Sequence, residues 1–200
     1  MDTDSDRTDA APVKSGCFTG CAIGMLVLTV LVALGAWQLG ELEKGLDGYG
    51  QLEQSGASGS VADPLGPGAT ARYEDGLKVT VSPPRRGADG SYNWTVTYDN
   101  GTDEELLPGG DSADDSVSEL GSAPLTVRAG ESLDDYSEYD LTWVNRQESA
   151  RLLMEPLGEG ETRSIPVAVT PIERGIPVTI EVAPPGAGDH ETAYFQVTLD

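Results

Sequence analysis

Tyr92-Asn93-Trp94-Thr95-Val96-Thr97-Tyr98 alternates without a break, with Tyr92, Trp94, Val96 and Tyr98 on one face of an extended chain and Asn93, Thr95 and Thr97 on the other. Side chains of a strand point to opposite faces with a period of two, so this pattern predicts a strand with one face in a core and the other in water. Trp94 is expected in that core. Asp99-Asn100-Gly101-Thr102 follows and predicts a turn, Asn-Gly being suited to positive φ.

The same period recurs outward from this strand. Leu77, Val79 and Val81 alternate with polar residues until Pro83-Pro84, where the missing backbone donors end a ladder. Further strands are expected over residues 125–128, 139–144, 151–154, 162–170, 176–182 and 193–199, and residues 108–120, rich in Gly, Ser and Asp, read as a loop. Pro166 and Pro177 lie within or at the start of their runs, which suits edge strands or strand openings. Short β-rich runs between Gly, Pro and Asp turns predict an all-β fold, an antiparallel β-sandwich over residues 70–200.

A different composition precedes residue 70. Residues 17–40, CFTGCAIGMLVLTVLVALGAWQLG, carry no charge, and about 20 such residues match the thickness of a bilayer core, so a single transmembrane helix is expected there. Residues 1–16 read as a disordered cytoplasmic tail, and residues 41–69 as a juxtamembrane segment followed by a flexible Gly/Ser/Pro linker from Ser55. The expected partner of residues 17–40 is the lipid bilayer, and the expected place is the plasma membrane, single-pass, with the carboxyl-terminal domain extracellular. The alternative is secretion after cleavage near Ala33-Leu34-Gly35. Cys17 and Cys21 both belong to this run, so the β domain is expected to fold without a disulfide.

Three stretches, taken in order, carry a family resemblance. They are Ala71-Arg72-Tyr73-Glu74-Asp75-Gly76-Leu77-Lys78-Val79-Thr80-Val81-Ser82, the strand and turn Val96–Glu105, and Leu157–Val169 leading to the hairpin from Ile176 and the aromatic pair Tyr194-Phe195. Over residues 68–200 the chain resembles actinobacterial membrane-anchored or secreted proteins with an immunoglobulin-like domain of the DUF4352 kind. The resemblance implies an immunoglobulin-like sandwich. That family is named for its unknown function and carries no catalytic residues to transfer.

Charge and motifs narrow the chemistry. Twelve Lys and Arg against 34 Asp and Glu leave a formal net charge of -22, which repels nucleic acid and anionic headgroups, so no nucleic-acid partner is expected. His190 is the only histidine, placed in a terminal loop and read as solvated, and no G-x-S-x-G elbow frames a serine. Trp94 and Trp143 suit sugar stacking but lie in strand patterns, where core packing is the default, and Gly158-Glu159-Gly160 lacks the lysine of a phosphate loop. No cofactor is expected. Two acidic groups offer hard oxygen ligands for calcium: Asp111, Asp114 and Asp115, and Asp134, Asp135 and Glu138. The resulting expectation is a membrane-anchored extracytoplasmic binding or interaction module without enzymatic activity, engaging an envelope protein or polymer. A calcium-dependent structural module of the envelope is the first alternative and an envelope hydrolase the second.

Overall fold

The computed structural model describes residues 50–53, 58–121, 123–131, 140–184 and 190–200, all within the compact unit Asp47–Asp200. Ten strands and one helix follow in the order β1 (Thr70–Arg72), β2 (Leu77–Val81), β3 (Arg85–Arg86), β4 (Tyr92–Asn100), β5 (Val117–Ser118), β6 (Leu125–Ala129), β7 (Leu141–Trp143), α1 (Arg146–Leu153), β8 (Thr162–Pro171), β9 (Ile176–Val182) and β10 (Ala193–Leu199). Six strands form one open sheet in the order β1-β2-β4-β8-β7, with β3 paired to β4 beyond the end of β2. Four form the second, β10-β9-β6-β5.

The alternating residues of β4 do what their period requires. Tyr92, Trp94, Val96 and Tyr98 are buried, and they share one core with Leu77, Val79 and Val81 of β2, Ile165, Val167 and Val169 of β8, and the inward residues of β6, β9 and β10. Trp94 is 3% exposed, in the core as expected. Three buried polar atoms, Trp94 Nε1, Tyr98 Oη and Thr126 Oγ1, find no hydrogen-bond partner among the described residues.

Several expectations are corrected by the packing. The sandwich is not wholly antiparallel: β5 runs parallel to β6, and Leu65 bridges Phe195 in parallel. Nor is it wholly β, and the immunoglobulin-like assignment is replaced by a mostly β domain of two open sheets. Residues 151–154, read as a strand, belong to α1, which buries Ser149, Ala150 and Leu153 on one face. Pro166 lies in β8, between β4 and β7, yet it breaks no ladder. Its partner Thr95 turns its own backbone toward Ser82, whose N–H donates to Thr95 O at 3.0 Å, and β7 pairs only with residues 169–171 of β8. Beside Pro166 the place of a strand is taken by side chains: Asn145 Nδ2 and Ser149 Oγ donate to Pro166 O at 3.0 and 2.6 Å.

The linker expectation is corrected as well. Leu65 is buried, its N–H donates to Tyr194 O at 2.8 Å, and Gln196 N–H donates back to Leu65 O at 2.8 Å. Residues 58–65 therefore lie as a strap along the free edge of β10, while Leu52 bridges Tyr73 next to β1. A segment that buries a leucine and satisfies a strand edge is part of the fold, whatever its Gly and Pro content.

The membrane assignment is likewise withdrawn. No helix among the described residues is long and apolar enough to cross a membrane, and α1 has only eight residues, of mixed charge. Residues 17–40, on which the expectation rested, lie outside the described residues, as do residues 1–16. The bilayer partner, the single-pass topology and the extracytoplasmic envelope role followed from that anchor and fall with it.

Asn100 ends β4 as a clamp. It is wholly buried, its Oδ1 accepts from Thr102 N and Oγ1 at 3.1 and 2.7 Å, and its Nδ2 donates to Glu104 O, Leu157 O and Gly158 O at 2.8 to 3.1 Å. Gly101 does not take the expected positive φ. Its requirement is close approach, since a Cβ there would stand 2.6 Å from Gly76 O, and it is Gly76 that adopts φ +101°.

Urea unfolding should separate these roles. Trp94→Ala is expected to cost about 3 to 5 kcal/mol through loss of packed volume. Tyr98→Phe, which removes an unpartnered hydroxyl, should leave stability unchanged or raise it by about 1 kcal/mol. A loss above that size would show that the hydroxyl has a partner. Asn100→Ala removes a buried amide that bonds three carbonyls and takes the acceptor from Thr102 N–H, and is expected to cost about 3 kcal/mol, with a normal m-value.

Candidate functional site

The first acidic group proposed from sequence as calcium ligands, Asp111, Asp114 and Asp115, does not form a site. Asp111, Asp114 and Asp115 are exposed on a turn held by Ser116 Oγ donating to Ala113 O at 2.8 Å, and no three His, Cys, Asp or Glu among the described residues converge on a metal position. Asp134, Asp135 and Glu138 lie outside the described residues. The calcium-dependent reading is therefore withdrawn for Asp111, Asp114 and Asp115.

Trp94 and Trp143 are both buried and offer no stacking platform. His190 also departs from expectation, because its side chain is 8% exposed instead of solvated. Its Nε2 lies 2.7 Å from Asp75 Oδ2, and its ring meets Tyr73 edge-on at 5.2 Å and 84°. Asp75 is held in turn by the N–H of Leu77 at 3.0 Å, and Tyr73 Oη donates to Glu191 O at 3.0 Å. These contacts tie the β1–β2 turn of one sheet to the start of β10 in the other. With the histidine committed to this junction, nothing in it resembles a base beside a nucleophile.

The junction positions a cleft. Glu191 N–H donates to Gly50 O at 2.8 Å, Leu52 N–H donates to Glu191 Oε2 at 3.0 Å, and Tyr194 N–H donates to Gly59 O at 2.8 Å. Gly50 and Leu52 are thus held to Glu191, just ahead of β10, and Gly59 to Tyr194 within it, and beside these contacts opens a cavity of about 460 Å³ lined by Leu52, Ser58, Ser60, Val61, Glu191, Thr192 and Tyr194. Ser58 Oγ and Ser60 Oγ bond each other at 2.8 Å, and Ser58 N–H is held by Asp63 Oδ2 at 3.0 Å. Among the described residues, none donates to Glu191 Oε1 and no lysine or arginine lines the cavity. The Tyr194 phenol is pushed up by burial and by Glu181, with Arg128 opposing.

No protein-family model matches the chain, and neither does any curated protein or solved structure. The cleft must be interpreted from its own chemistry.

Sequence reasoning missed this site because its walls come from stretches far apart. Ser58, Ser60 and Val61 lie in what reads as a linker, and Glu191 and Thr192 in what reads as a terminal loop. The usable signal was Leu65, an apolar residue in an otherwise polar segment just ahead of the first strand.

Burial at the junction sets an alkaline limit. The Tyr73 phenol is pushed far up by burial first, then by Tyr98, Glu191 and Asp75, and the Tyr98 phenol by burial. Both stay neutral in the fold, whereas an unfolded tyrosine ionises at about pH 10. Their contribution is complete below that pH and is lost as the pH rises above it. In a spectrophotometric titration, two of the seven tyrosines should ionise only together with loss of the near-ultraviolet circular dichroism. Ionisation of all seven in the folded protein would refute the assignment.

Proposed function

We propose that the unit Asp47–Asp200 is a binding domain and not an enzyme, and that the group it recognises in the cleft is cationic. The observation that carries this reading is Glu191 Oε1, an exposed carboxylate oxygen with no hydrogen-bond donor among the described residues, in a cavity whose described lining holds no Lys or Arg. The Tyr194 ring beside it supplies a π face of the kind that attracts ammonium and guanidinium groups. A chain of net charge -22 raises the local concentration of such a ligand. Hydroxyls alone do not favour a neutral sugar, since Ser58 and Ser60 bond each other. The absence of a histidine or cysteine from the lining supports binding over turnover.

The test uses the full chain and two small probes, N-acetyl-lysine amide and its uncharged analogue N-acetyl-norleucine amide. The lysine probe should shift the backbone resonances of Glu191, Thr192 and Tyr194, and the norleucine probe should leave them in place. Glu191→Gln retains an acceptor for Leu52 N–H and should keep the melting temperature within about 2 °C while weakening binding at least about tenfold, the scale of one lost charge-assisted contact. Unchanged affinity in this variant, or shifts spread evenly over the acidic turns, sinks the proposal.

A further inference from the structure

We propose that the cleft, read as a cation site, selects a primary ammonium on an alkyl stem, as at the end of a lysine side chain, over a guanidinium and over a quaternary ammonium; this selectivity rests on that reading. The lining sets the preference through its carboxylate, its ring and its apolar wall.

Glu191 is the only acid in the described lining, and its two oxygens are not equivalent. Oε2 accepts the N–H of Leu52 at 3.0 Å, whereas among the described residues nothing donates to Oε1. The residue is also held by its main chain, its N–H donating to Gly50 O at 2.8 Å and its carbonyl accepting from Tyr73 Oη at 3.0 Å, so the open oxygen is preorganised. A guanidinium reaches its full strength on a carboxylate through two parallel N–H···O bonds, one to each oxygen. Here such a fork has to share Oε2 with the Leu52 N–H, and Leu52 is itself fixed by its bridge to Tyr73. An ammonium is a compact charge whose donors point apart, and a single one of them satisfies Oε1. The hydroxyl oxygens of Ser60 and Thr192, in the same lining, are acceptors for the others. The adjacent His190 does not occupy the carboxylate, since its Nε2 is directed to Asp75 Oδ2 at 2.7 Å.

The ring separates an ammonium from its methylated form. A quaternary ammonium donates no hydrogen bond and is held by aromatic faces that close round it as a cage. The described lining carries one ring, Tyr194, which adds to an ammonium already bonded to Glu191 and does not replace that bond. The apolar wall accounts for the stem. Leu52 and Val61 line the cleft, and Val61 is 36% exposed, a surface that an alkyl chain covers and a small hydrated cation leaves wet. A volume of about 460 Å³ is that of a small-molecule site, with room for the stem and for groups beyond it.

The test titrates the full chain with N-acetyl-lysine amide, N-acetyl-arginine amide and N-acetyl-trimethyllysine amide, reading the backbone resonances of Glu191, Thr192 and Tyr194. The lysine probe should bind tightest. The arginine probe should be at least about fivefold weaker, the scale of one net hydrogen bond, and the trimethyllysine probe at least about tenfold weaker, because it loses a charge-assisted one. Glu191→Gln keeps the shape of the side chain and removes its charge, so the gap between the lysine and trimethyllysine probes should narrow to less than about threefold. Pentylamine distinguishes the two sources of such a cation: affinity equal to that of the lysine probe supports a free alkylamine, and weaker binding supports a lysine residue of a peptide. Arginine or trimethyllysine binding as tightly as lysine, with shifts at Glu191, overturns this selectivity and leaves the cation site standing. No shift with any cationic probe overturns the cation site itself.

Discussion

Two open sheets packed face to face leave four strand edges, and an unpaired edge invites pairing with another chain. How this molecule closes its edges governs most of what else it does. On one side, Glu53 N–H donates to Arg72 O of β1, and residues 58–65 run along β10. On the other side, the closure is made by side chains. Glu119 Oε1 accepts the N–H of Trp143 on β7, Arg146 donates to Val117 O on β5, and Asn145 spans Trp143 Nε1, Ala168 N–H and Pro166 O. The backbone groups covered in this way are not open for pairing with another chain.

The interior carries a polar burden of uneven quality. Asn100 has both its amide groups satisfied and fixes three loops in one register, the arrangement in which a buried amide contributes to specificity. Trp94 Nε1 and Tyr98 Oη have no such partners among the described residues, so these two rings serve by the volume they fill, whereas the Tyr92 hydroxyl donates to Asp200 O. The close approach of Gly76 and Gly101 belongs to the same region, where two backbones meet with no room for a side chain.

Charge is distributed to different ends. The acids on the Asp111–Asp115 turn stay in solvent and converge on nothing, whereas Glu191 and Asp75 are drawn into contacts that hold the sheets together. The cations divide between ion pairs that lock the fold, such as Arg128 with Glu181, and those left facing water on the six-stranded sheet. A net charge states what the whole molecule attracts at a distance; the partners that fit on contact depend on which charges remain unpaired.

The strands at Leu77–Val81, Tyr92–Asn100, Thr162–Pro171, Ile176–Val182 and Ala193–Leu199 were legible because their alternation is local and a half-buried strand has no other way to be written. The Pro83-Pro84 stop and the burial of Trp94 were legible for the same reason. The helix Arg146–Leu153 was not legible: residues 151–154 read as a strand, and Asn145 makes no side-chain cap and spends its side chain across the sheet. The strap, the burial of His190, the tolerance of Pro166 and the cleft were not legible. Each depends on a partner more than 15 residues away, such as Tyr194 for Leu65 or Asp75 for His190. Sequence by itself determined which residues turn inward, because side-chain period is a property of the local backbone. Only the tertiary structure decided which edges are closed and which polar groups are left over, because that follows from how distant segments meet.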